Sequence, residues 1–83
     1  MNAHEAISAH SKKQFEHLQQ FYKLDQQREM AIEEALSLCK AGQPYTVDEI
    51  NLITKKINEH AKEGISPVRV YVTPEMVQTY ATK

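Results

Sequence analysis

From residue 3 to residue 40 the chain keeps one rhythm. Phe15, Leu18, Phe21, Tyr22 and Leu24, then Ala31, Ile32, Ala35, Leu36, Leu38 and Cys39, recur at spacings of three and four, the period of an α-helix. The stretch contains no Gly or Pro and is rich in Gln, Glu, Lys, Ala and Leu, which form helices readily. One continuous helix here would run about 57 Å, at ~1.5 Å per residue. Asp25 and Glu29 fall on the heptad positions that Phe15, Leu18, Tyr22, Ile32, Leu36 and Cys39 share. The apolar face is therefore expected to drift onto Leu24, the Arg28 stem and Ala31. Two starts fit the sequence, because Asn2 to Glu5 and Ser11 to Gln14 both read as cap and return.

The segment "KAGQPY" ends this helix, with Gly42 suited to the left-handed C′ position and Pro44 as a stop. A second helix is expected over 47–63. Thr46 and Glu49 form a T-x-x-E capping box, Tyr45 and Ile50 stand at the two positions of a hydrophobic staple, and Asp48 and Glu49 suit the positive helix end. Ile50, Ile53, Ile57 and Ala61 give its apolar face, and Gly64 is a candidate C′ residue. The short connection predicts an antiparallel neighbour, so that the two helices form a hairpin.

After Gly64 the period changes. "VRVYV", residues 68–72, alternates as a strand does, within an extended stretch over 67–72. Thr73, Pro74 and Glu75 then read as cap, first helical residue and acidic first turn of a short helix over 74–82. The chain offers no second strand, and a lone strand leaves its backbone groups unpaired. It can pair with its copy in a second subunit, pair with another protein, or pack as an extended segment on the hairpin. The predicted architecture is all-α in a single small domain over 1–83.

Composition narrows the function classes. Of 83 residues, 41% are hydrophobic and 25% charged, with only two Gly and three Pro, which favours few long elements over many short ones. The net charge is −1, and neither half of the chain is basic. The electrostatic footprint of a nucleic-acid binder is missing. No apolar run is long enough to span a membrane, and the first residues do not have the pattern of a signal peptide. A reduced, cytoplasmic setting is expected. The single cysteine, Cys39, lies on the apolar stripe and reads as a small buried hydrophobe.

"HEAISAHSKKQFEH", residues 4 to 17, invites a metal-site reading. The zinc signature His-Glu-x-x-His needs a second histidine four residues after the first, and Ser8 stands there instead of His. His10 and His17 share a face but lie two turns apart, roughly 10 Å, too far for one ion. Solvated polar residues are the expectation, with no metal and no cofactor. A site shared between chains, with Glu16, is the residual alternative. His60 suits the negative end of the second helix, whereas Cys39 is expected near the start of that helix, so no Cys–His pair forms. Asn51 and Asn58 lie on one line beside the Ile face. They read either as a polar ladder that sets register or a partner, or as half-buried boundary residues.

"GQPYTVDEIN" and "YVTPEMV" together make the chain resemble small uncharacterised proteins of Bacillus-type bacteria, grouped as a family of unknown function. The resemblance covers most of the chain. It implies a bacterial cytoplasmic protein and brings no activity and no functional residue.

The first helix outruns the second by about twenty residues. Its Phe15-to-Tyr22 portion needs cover from the terminal segment or from a second subunit. The expected function is a non-enzymatic homodimeric adaptor or regulator that binds another protein, with Phe15, Leu18, Phe21 and Tyr22 as the contact. The alternative is a nucleic-acid-binding regulator that reads a groove with the strand around Arg69. An enzyme comes third, with no constellation to support it.

Overall fold

The computed structural model describes the backbone of residues 2–83 and the side chains from Ser11 onward. Residues 4, 5 and 10 of the metal-site reading, and the cap at Asn2 to Glu5, therefore lie outside the described side chains. Helix α1 spans Asn2–Lys40, α2 spans Asp48–His60 and continues into a 3₁₀ turn, Ala61–Glu63, and α3 spans Pro74–Ala81. No strand occurs among the described residues. The longest dimension is 61 Å, set by α1, against 18 Å across.

The end of α1 follows its sequence. Gly42 takes φ 72°. Its N–H donates to the Cys39 carbonyl at 3.1 Å and that of Gln43 donates to the Leu38 carbonyl at 2.9 Å, the two bonds of a Schellman closure. The start of α2 departs from the capping box. Thr46 Oγ1 accepts from the Asp48 N–H at 3.1 Å, one residue short of Glu49, and the N-cap residue is Val47, with no side-chain cap bond. The hydroxyl closes a tight turn ahead of the helix instead of capping its first amides. At α3 the expected cap forms, with Thr73 Oγ1 accepting from the Met76 N–H at 3.2 Å and Pro74 opening the helix.

Helix α1 packs against α2 and α3. The core comprises Phe21, Ala31 and Ala35 of α1, Ile50, Ile53 and Ile57 of α2, then Val72 and Val77. Ile50 and Ile57 are fully enclosed, and each contributes roughly 1.5–3 kcal/mol of apolar burial. The drift of the α1 face occurs as the pattern predicts. Leu24 is half-buried, Ala31 is buried, and Arg28 is 8% exposed at the centre of the molecule. Phe21 belongs to this core face at 2% exposure, which removes it from the contact expected of Phe15, Leu18, Phe21 and Tyr22.

Candidate functional site

The chain from Ile65 to Thr73 carries no regular structure, yet its backbone is held at several points by helix side chains. Asn58 Nδ2 donates to the Arg69 carbonyl at 3.0 Å, while the Arg69 N–H donates to Asn58 Oδ1 at 2.8 Å. Asn51 repeats the pattern on Val72, donating to its carbonyl at 2.9 Å and accepting its N–H at 2.8 Å. Each amide thus stands where a neighbouring strand's backbone would stand. The two asparagines are two helical turns apart, about 10.5 Å, which three extended residues match. Burial follows that three-residue step, because Ser66, Arg69 and Val72 turn inward while Val68, Val70 and Tyr71 face outward. Of the courses open to "VRVYV", the extended segment packed on the helices is the one found, anchored with period three and not the period two of a strand.

Arg28 ties all three parts together. Its Nε donates to Thr54 Oγ1 at 2.9 Å and its Nη2 to the Val70 carbonyl at 2.8 Å, while the Thr54 hydroxyl donates to the Ile50 carbonyl at 2.8 Å. Burial lowers the guanidinium pKa from its usual value, and the Asp25 carboxylate opposes that shift. Arg69 makes a two-point ion pair with Asp25, at 2.9 and 3.3 Å, and lies 5.1 Å from the centre of the Phe21 ring. The residue expected to read a nucleic-acid groove is thus spent on an internal pair, and the strand needed to carry it is absent among the described residues.

At the far end of α2, His17 and His60 stack with ring centres 3.8 Å apart. His60 Nε2 donates to the His17 carbonyl at 2.8 Å, which fixes the proton on that nitrogen. His17 Nε2 lies 3.0 Å from Ser66 Oγ, where the ribbon begins. His17 is therefore a half-buried packing residue and not the solvated one expected. Gly64 is extended, at φ −177°, and not the left-handed C′ residue expected. Glycine is needed there because a Cβ would meet the His17 ring at 2.9 Å. Cys39 lies at the opposite end of α2, beside Tyr45, far from His60. The Tyr45 hydroxyl donates to the Pro74 carbonyl at 3.0 Å. Partial burial, with the Cys39 thiol nearby, raises its pKa. Among the described residues, no three His, Cys, Asp or Glu side chains cluster as metal ligands do.

What the core leaves uncovered is apolar. Phe15 is 59% and Tyr22 61% exposed, and Leu18, between them, is half-buried. The three share one side of α1 at spacings of three and four. Farther along that side, α1 and α3 bound a groove of about 430 Å³, with Ile32, Leu36 and Val77 in it, Met76 and Tyr80 at its α3 side, and Glu29 and Glu33 at its α1 side. Sequence reasoning missed Met76 and Tyr80 as surface residues. The signal was there in α3, which has more apolar residues than one buried face accommodates.

No helix of the described residues is long and apolar enough to cross a membrane. No solved structure matches the chain. The chain is similar to the uncharacterized protein YpbS of Bacillus subtilis (strain 168), at 51% identity over 80 residues, covering 96% of this chain and 94% of that protein. A family model described as "Protein of unknown function (DUF2533)" matches residues 1–83. A whole-length match of this kind settles membership, and the chain belongs to the DUF2533 family of proteins of unknown function.

Proposed function

We propose that this protein is a non-enzymatic, cytoplasmic, homodimeric adaptor or regulator, built on an antiparallel hairpin of α1 and α2. The hairpin reading is supported by the order of contacts. His17 meets His60, Arg28 meets Thr54, and Ala35 and Leu38 share a cleft with Tyr45 and Ile50. The observation that carries the dimer is the exposure of Phe15 and Tyr22 on one side of α1. Large aromatic side chains at such exposure, aligned along a rigid helix, are the composition of a protein contact. The contact is Phe15, Leu18 and Tyr22; Phe21 supports it from the core.

The test is the solution mass by light scattering of the full chain and of the variant Phe15→Ser with Tyr22→Ser. The expected result is a dimer that becomes a monomer with unchanged helix content by circular dichroism. A dimer that persists in the variant removes this contact. A monomeric full chain removes self-association altogether.

A further inference from the structure

Arg28 is buried, at 8% exposure, and a guanidinium at that depth is ordinarily matched by a carboxylate. Here it is not. The ion pairs among the described residues are Arg69 with Asp25 and His60 with Glu63. Asp25 stands one turn before Arg28 on α1, but both of its carboxylate oxygens are taken by Arg69. Arg28 donates from Nε to a hydroxyl and from Nη2 to a carbonyl, and its Nη1 has no acceptor among the described residues. No fully enclosed side-chain nitrogen or oxygen among those residues lacks a hydrogen-bond partner, so Nη1 is not sealed in. Burial lowers the guanidinium pKa against the pull of Asp25 and Glu29, as happens to a cation short of negative charge.

Arg28 lines the groove between α1 and α3, so the groove is the way to it. The other walls are apolar, with Ile32 and Leu36 from α1 facing Met76, Val77 and Tyr80 from α3. At about 430 Å³ the groove has the size of a small-molecule pocket, apolar with one convergent polar group. From Arg28 to Leu36 is about 12 Å along α1, at ~1.5 Å per residue. Glu29 and Glu33 stand exposed on the α1 side. They oppose a doubly charged headgroup such as a phosphate monoester, whereas a single carboxylate is balanced by the unmatched guanidinium. We propose that this groove binds a monocarboxylic acid with an apolar chain. The carboxylate accepts from Arg28 Nη1, and the chain lies along Ile32, Leu36 and Val77, where it loses contact with water. Thr54 and Val70 keep their own bonds to Nε and Nη2. The site is separate from the exposed Phe15 and Tyr22 and does not depend on self-association.

The test is a nuclear magnetic resonance titration of the unaltered full chain with three probes of equal chain length: decanoate, decanol and decyltrimethylammonium, each below its aggregation concentration. The readouts are the Arg28 Nε–H signal and the backbone amides. The expected result is a saturable shift of the Arg28 Nε–H signal and of the Ile32, Leu36 and Val77 amides with decanoate. Decanol is expected to bind at least about tenfold more weakly, the worth of one charge-assisted hydrogen bond. Equal affinity for decanoate and decanol overturns the proposal, because the guanidinium then selects nothing. A preference for the ammonium probe overturns it in favour of a cation held by Glu29 and Glu33. Shifts centred on Phe15 and Tyr22 overturn it in favour of the exposed side of α1. The absence of any saturable shift also overturns it, and leaves Nη1 to water. The comparison of probes decides without an Arg28 variant, in which loss of the Thr54 and Val70 bonds would weaken the fold itself.

Discussion

Asn51 and Asn58 each present one donor and one acceptor, the same pair that a backbone residue presents. This equivalence makes them sensitive to a change of a single atom. In Asn51→Asp the carboxylate still accepts from the Val72 N–H but faces the Val72 carbonyl without a donor. The ionised form is disfavoured there, so the carboxyl pKa in the folded state rises above its unfolded value. Stability lost near pH 7 then returns as pH falls through that raised value. Denaturation is expected to show about 1–3 kcal/mol of loss near neutrality and a smaller loss near pH 4; a loss independent of pH contradicts the paired geometry. Gly64 is equally exacting. Gly64→Ala drives a Cβ into the His17 ring and is expected to cost about 1–3 kcal/mol, relieved when His17→Ala is added. At this scale the sequence was partly legible. The seven-residue spacing of the asparagines showed on its face and admitted a polar ladder, but the partner of that ladder is a segment with no regular pattern of its own. The reason for Gly64 was out of reach, because it depends on a ring 47 positions away in the chain.

Among the elements, α1 and α3 were readable from periodicity and caps, and so was the existence of α2. The ribbon was not. "VRVYV" alternates like a strand because valine is common in strands, while the structure uses Arg69 and Val72 as its inward positions. The competing principle is satisfaction of backbone groups, met here by side-chain amides and Arg28 instead of a second strand. The drift of the α1 face onto Arg28 was legible from Asp25 and Glu29; that the guanidinium would bridge to Thr54 and Val70 was not. Arg28→Met keeps the stem and deletes both bonds, leaving the Val70 carbonyl without its charged donor. A loss of about 2–3 kcal/mol is expected, with the ribbon exposed to limited proteolysis before the α1–α2 pair unfolds. Tyr45 links the start of α2 to α3 through Pro74. Its raised pKa means that the folded chain holds the phenol proton more tightly than the unfolded one. Its contribution is complete below the unfolded value, about pH 10, and is lost as pH rises through the folded one. Tyr45→Phe is expected to flatten the alkaline fall in stability relative to the parent chain.

For the whole molecule, 83 residues build a body 18 Å thick around a helix that sets a length of 61 Å. The spacing placed Phe15, Leu18 and Tyr22 on one side of α1, and Phe15 and Tyr22 are exposed there. Phe21 was misplaced because it adjoins Tyr22 in sequence yet points about 100° away around the helix, into the core.

The two-asparagine anchorage also constrains how the gene can change. Seven helical residues are matched to three ribbon residues, so the distance between the anchors is fixed on both sides. A single codon inserted or deleted between Arg69 and Val72, or between Asn51 and Asn58, disengages one anchor and cannot be absorbed by sliding. Length variation in this gene is therefore expected to be absent from these two matched intervals.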